Sequence, residues 1–307
     1  MKTAIWRTFI GWALWPLGIA LYVAAVFYLA DMRDPTAVSR VVGLGSLAVL
    51  LVAMALEPFV PYRTDWKLSG DRDVWRNLGH TLLHVQVGMQ GATLLIVFVV
   101  APFIARFSLP GIWPTQAPYL LQVLLVMVLG DGLMYWWHRL AHRLPRLWAV
   151  HSVHHMPQRV NTLMAGRHHV FYAPLGQLFI GVPLLLIGLP TALFAWQVFS
   201  IVVVQSLSHA DVEFRIPRFM HRVLVTPQYH RLHHSADPGH ANANFALMLP
   251  LWDILFGTFW DPADAPVPAV GIEGDPIPHR FMTELASPFN VKRWTRASTS
   301  SLGATSR

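Results

Sequence analysis

Long uncharged apolar runs alternate with short arginine-bearing segments along most of the chain. Phe9–Ala30 carries no charge over 22 residues, and Val85–Ala105 none over 21. Val41–Leu56 is a shorter run that ends at the polar break "EPFVP". Tyr119–Trp137 holds a single charge, Asp131. Val170–Ser208 has neither a charge nor a histidine for 39 residues, and Gly188-Leu189-Pro190 interrupts it. A helix needs about 20 apolar residues to cross the bilayer core, and proline removes a helical donor. The pattern predicts an all-α integral membrane protein with about four transmembrane helices plus a hydrophobic hairpin. The first run is too long for the apolar stretch of a signal peptide, and no small-residue cleavage site follows it.

Composition supports this reading. Of 307 residues, 54% are hydrophobic and only 13% are charged, about half the charged share of a soluble domain. The formal charge of +7 fits loops facing anionic lipid, so nucleic acid is not the expected partner. Arg63, Lys67, Arg72 and Arg76 crowd one polar segment, and Arg139, Arg143, Arg146, Arg159 and Arg167 another. The segment 106–118 carries only Arg106, and 31–40 balances Arg33 and Arg40 against Asp31 and Asp34. Positive loops stay on the cytoplasmic side, which places the basic segments and the histidines near them there. There is no cysteine, so disulfides and thiolate-bound metals are excluded. The tail "TRASTSSLGATSR" is small and polar and is expected to be disordered.

Histidine is the residue in excess. Thirteen of the 16 lie within residues 138–169 and 209–240. His138 and His142 in "HRLAH" are four apart and share a helix face. Asp131, seven residues before His138, shares it too; a charge inside an apolar run is costly and functional. Its expected role is to accept the ring N–H of a ligand and fix the imidazole's orientation. "HSVHH" (His151, His154, His155) and "HRLHH" (His230, His233, His234) repeat one H-x-x-H-H pattern. In a helix the offsets 0, 3 and 4 fall on one face. Eight imidazoles exceed the four of one structural zinc and suggest two metals held by helix ends. Imidazole suits iron, zinc, copper and nickel alike. A transporter would place its ligands near the bilayer midplane, and a haem protein needs only one or two axial histidines.

These three boxes, in this order between apolar spans, resemble the fatty acid hydroxylase / sterol desaturase superfamily. "RHH" after the second box, "TPQYHRLHH" at the third and "NANFALMLPLWDILFGTFW" after it extend the resemblance from about Leu121 to Trp260. It implies a catalytic unit over 119–262, an N-terminal membrane region over 1–118 and a partly disordered extension over 263–307. It also implies two irons, O2 as co-substrate, and hydroxylation of a membrane lipid, with desaturation the alternative outcome. Electrons would come from a separate reductase, ferredoxin or cytochrome, and the expected location is a bacterial inner membrane. The eight box histidines carry over as ligands. His209 in "QSLSHADVEF" is a ninth, and His169 a tenth at a position where relatives have R-x-H-P but this chain has Val170. Asn244 carries over as a hydrogen-bonder beside the ligands. The "WDILFGTF" segment around Asp253 reads as an interfacial anchor. His168, His221 and His240 are accessory, His80 and His84 pack at the interface, and His279 is a surface residue.

Overall fold

A computed structural model of the chain describes residues 2–29, 34–66, 71, 73–107, 111–264, 269–275 and 277–290. The tail from Thr295 to Arg307 lies outside them, as do Ala30, Asp31, Arg33, Lys67 and Arg72. The described residues form helices and short turns with no β-strand, apart from two isolated bridges. The longer elements are α1 (Lys2–Leu29), α2 (Pro35–Leu56), α3 (Val74–Ile104), α4 (Tyr119–Arg143), α5 (Pro145–His155), α6 (Tyr172–Leu186), α7 (Thr191–His209) and α8 (Pro227–His233). Short helices follow over Pro238–Ala241, α9 (Leu251–Leu255) and α10 (Phe281–Leu285).

Among the described residues, four helices are long and apolar enough to span a bilayer: Thr8–Tyr28, Val74–Ile104, Tyr119–Arg143 and Ala192–His209. Gly43–Leu56 and Tyr172–Leu186 are shorter apolar helices. The expected break falls where the sequence puts it. α6 ends at Leu186, Gly188 turns in the left-handed region (φ 84°) and α7 begins after Pro190. The hairpin is uneven, however: its second arm is a full span and its first is not.

α4 and α7 form the centre, with about half of each span buried, against 17% for the spans in α1 and α3. Val123, Val126, Tyr135, Ile180, Leu193, Trp196 and Phe199 build one core between α4, α6 and α7. Close approach is possible because α4 carries glycine where side chains cross it. A Cβ at Gly130 would stand 2.3 Å from Gln197, and one at Gly132 2.7 Å from the Trp252 ring. The outer helices turn Leu44, Leu51, Leu94, Phe98 and Val99 outward, the arrangement a lipid solvent stabilises. The C-terminal ends of α4 and α7 carry His138, His142 and His209. Glu57, one residue past α2, bonds Thr162 and the Asp211 backbone at that same end. The histidine-rich segments therefore close one end of the bundle.

α3 is not a uniform α-helix. It opens into π-turns over His84–Met89 and Ile96–Val100, and such bulges accommodate local packing conflicts. At the first of them Gly88 meets the backbone just before α6. A Cβ there would stand 2.7 Å from the Val170 carbonyl oxygen, which cannot swing aside, whereas at Gly91 nothing lies within 4 Å. Overpacking of this kind costs about 1–3 kcal/mol. Gly88→Val should lower the melting temperature of detergent-purified protein, while Gly91→Val on the same helix leaves it nearly unchanged. Equal melting of the two variants would refute this account of the α3 crossing.

Candidate metal centre

The histidines converge into two groups. His138, His142, His151, His155 and His233 form one, and His154, His209, His230 and His234 the other. Within each group every ligand atom lies within 4.8 Å of the others. Nine of the ten expected ligands are thus brought together.

The way they divide was not foreseen. In the second box His151 and His155 join the five-membered group and His154 the other. In the third box His230 and His234 join the four-membered group, and His233 crosses over. On the helix face they share, offset 4 lies about 40° to one side of offset 0 and offset 3 about 60° to the other, so the two diverge by about 100°. Each H-x-x-H-H box therefore serves both groups, with the roles exchanged between boxes. The rings of His155 and His234 stack at 4.4 Å between centroids where the groups adjoin.

Hydrogen bonding fixes which nitrogen faces inward. The Nδ1–H of His138 donates to the Phe245 carbonyl at 2.7 Å, and that of His233 to the Ala243 carbonyl at 2.8 Å. A carbonyl only accepts, so each ring, when neutral, presents a bare lone pair at Nε2. Yet these two Nε2 atoms lie 3.0 Å apart, and His138 Nε2 lies 2.9 Å from that of His151. The second group repeats the arrangement. His154 donates to the Arg167 carbonyl and His209 to that of Gln205, while their Nε2 atoms stand 3.2 Å apart. His230 Nε2 lies 3.0 Å from that of His209 and 3.1 Å from that of His234. In His138–His233 and His154–His209, where both rings spend their N–H on a carbonyl, the facing lone pairs repel unless a cation sits between them. Imidazole nitrogens about 2.0–2.1 Å from one ion stand about 3 Å apart when they subtend a right angle. The donor set fits a divalent metal in each group. His142 Nε2, buried and without a protein partner, adds an orphaned acceptor to the first.

Protonation does not compete well here. Burial, then the neighbouring imidazoles, pushes His151, His154, His155, His230 and His234 well below the ordinary histidine range. Burial first and His138 second do the same to His233.

The other expected roles need correction. His169 belongs to neither group: its Nε2 faces the Leu285 carbonyl at 2.9 Å and its Nδ1 accepts from the Phe171 N–H. Both ring nitrogens are thus engaged away from the centre. The Asp131 carboxylate reaches no histidine; it accepts the backbone N–H groups of Met248 and Leu249 at 3.0 and 2.9 Å. Nor does the Asn244 side chain, which bonds both backbone groups of Trp260. Its contribution is conformational. At φ 58° it occupies the left-handed region, which asparagine tolerates better than most residues. That turn lies between the carbonyls of Ala243 and Phe245, which orient His233 and His138. His80 is no interfacial packer; it bonds buried Glu284 at 2.9 Å. His168 stacks on His154 at 4.3 Å, outside both groups.

Asp253 was underrated. It is fully buried and accepts from Phe245 N–H, Ala246 N–H, the Thr258 hydroxyl and the Tyr229 hydroxyl. It thereby holds the segment 245–246 against the residue preceding His230. A lone acid inside "PLWDILFG" was the signal for it. Arg167, the first residue of "RHH", is buried between the boxes rather than lying as a loop charge.

Comparison with known proteins agrees with this geometry. The fatty acid hydroxylase family model matches residues 123–258. The ornithine lipid hydroxylase OlsE of Rhizobium tropici is 30% identical over 289 residues, spanning 91% of this chain and 84% of its own. Alkylglycerol monooxygenase of Danio rerio is 35% identical over 138 residues, 42% of this chain and 28% of its own. Cholesterol 25-hydroxylase of Mus musculus is 28% identical over 247 residues, 76% of this chain and 78% of its own. No solved structure matches. With nine histidines gathered at one end of an apolar helical bundle, and with relatives that hydroxylate lipids, the chain belongs to the fatty acid hydroxylase family.

Proposed function

We propose that the protein is an O2-dependent membrane oxygenase that hydroxylates a C–H bond of a membrane lipid, with one iron in each histidine group. The observation that carries this is the pairing of inward-facing imidazole lone pairs about 3 Å apart in His138–His233 and His154–His209, fixed by N–H bonds on the far side of these four rings. The ligands are His138, His142, His151, His155 and His233 for one metal, and His154, His209, His230 and His234 for the other. The catalytic unit is 119–262. The centre faces the cytoplasm of a bacterial inner membrane, as the arginine distribution supports, and electrons arrive from a separate donor protein. That the chain aligns with most of an ornithine lipid hydroxylase and most of a cholesterol 25-hydroxylase supports lipid hydroxylation over desaturation.

The chain's own part in the chemistry is positional. Bound iron supplies the activation of O2 that an unactivated C–H bond requires. The protein holds nine rings rigidly, excludes water from eight of them and leaves only His142 half-buried. Phe245 packs against the rings of His138, His142 and His233 at 5.2–5.8 Å and keeps that side apolar. The outer apolar faces give a lipid lateral access.

Three measurements bear on this reading. Protein purified from iron-supplemented cells should carry close to two irons per chain and no haem band; less than one iron, or a Soret band, would sink it. His233→Ala should lose iron and activity together, since that ring touches both His138 and His155, and retained activity would remove it from the ligand set. In a deletion strain one lipid should be lighter by an oxygen atom. A lipid heavier by two hydrogens would indicate desaturation, and an unchanged lipidome would count against an enzyme of lipid modification.

Acid should also weaken the metal-free protein. His151, His154, His155, His230, His233 and His234 have depressed values in the fold through burial, whereas in the unfolded chain they titrate near about pH 6.5. Between those values the unfolded chain binds more protons, so stability is present above about pH 6.5 and is lost as pH falls below it. Melting of metal-depleted protein across this range checks the sign; a flat or acid-stabilised profile contradicts buried neutral imidazoles.

A further inference from the structure

Behind the second box lies a buried ionic cluster that the metal centre does not use directly. Arg167, Glu284 and His80 are each fully buried. The Arg167 guanidinium has three close partners, with the Asp73 carboxylate a fourth at 4.0 Å. Its Nε donates to the Val153 carbonyl at 2.8 Å, its Nη1 to Asn77 Oδ1 at 2.8 Å, and its Nη2 lies 2.9 Å from Glu284 Oε2. Glu284 also meets His80 Nε2 at 2.9 Å and Arg76 at 3.4 Å. Arg76 in turn pairs with Asp73.

Two of the Arg167 contacts reach the histidine helix. Val153 lies between His151 and His154 in α5. The Arg167 carbonyl is itself the acceptor for His154 Nδ1–H. One residue thus fixes both the backbone of the box and the ring of one ligand. Its own position depends on a carboxylate from a distant part of the chain: Glu284 lies in α10, beyond the family match that ends at residue 258. The same C-terminal segment touches α5 once more, where the Ser287 hydroxyl donates to the Ala149 carbonyl at 2.7 Å.

A buried guanidinium needs its counter-charge. With Glu284 gone, Arg167 and Arg76 face each other with fewer carboxylates, and Arg167 has reason to leave the cluster. It would take with it the bond to Val153 and the geometry of its own carbonyl. The surroundings on every side are accounted for: Asn77, His80, Arg76 and Asp73 from α3 and the residue before it, Val153 and His154 from α5, and Glu284 from α10.

We propose that Glu284 is a positioning residue for the metal centre: through Arg167 it holds the His151–His155 helix and the His154 ring in their metal-binding arrangement. This rests on the two-metal reading above. Partners that orient metal-bound imidazoles change metal affinity by about 10–100-fold when removed.

The test uses full-length protein in detergent, loaded with Co(II). Metal content, the Co(II) absorption spectrum and the rate of release to a chelator are compared for wild type, Glu284→Gln, Glu284→Asp and Ser287→Ala. Glu284→Gln keeps the shape and removes only the charge. It should release cobalt at least about tenfold faster with an altered spectrum. Glu284→Asp should recover much of the difference. Ser287→Ala, which removes the segment's hydrogen bond to α5, should release cobalt at the wild-type rate. Wild-type release and spectrum in Glu284→Gln would overturn the proposal. So would equal acceleration in Ser287→Ala, which would assign the effect to docking of the segment as a whole. Failure of the wild-type chain to take up two cobalt ions would overturn the two-metal reading itself, and the proposal with it.

Discussion

Everything at the histidine-rich end follows from one electrostatic constraint. Imidazole nitrogens carrying lone pairs are pressed to within about 3 Å of each other in a buried site. The arrangement is repulsive by itself and becomes favourable around a cation. What prevents the rings from turning away is the backbone: carbonyls of Phe245, Ala243, Arg167 and Gln205 take the opposite N–H of His138, His233, His154 and His209. Four rings are locked by atoms that no substitution of a side chain removes.

Those carbonyls need support of their own, and buried carboxylates supply it. Asp131 and Asp253 each accept two consecutive backbone N–H groups, at 248–249 and 245–246 respectively. Together they fix the strip that follows the third box, in which Asn244 makes its left-handed turn. Burial raises the affinity of the Asp253 carboxyl for its proton, and hydrogen bonds from Thr258, Tyr229 and the backbone oppose this. The two acids act on the grouped histidines through the peptide chain between them. This is why both stand in apolar sequence with no histidine contact.

The spans, the break before Pro190 and the membership of nine histidines were legible because each depends on local features: apolar length, proline, and repeated spacing. The division of each box was not. Spacing says which residues of a helix point together, but two sites on either side of α5 and α8 are a property of packing. Asp131 illustrates the same limit. Its isolation in an apolar run marked it as important, yet its partners lie 117 and 118 residues further on. His169 sat beside the second box and reads as a ligand by position, although the turn into α6 directs it to Leu285. Glu284 had no motif around it, and only the folded chain brings it to Arg167.

The exchange of members between the boxes has a mechanical consequence. Because α5 and α8 each contribute to both groups, neither helix can tilt or slide without disturbing both at once. Two ions held there would be coupled as a single unit, with independent adjustment of one geometrically forbidden. A change of substrate that leaves this centre undisturbed is therefore confined to the apolar walls and the outer helices.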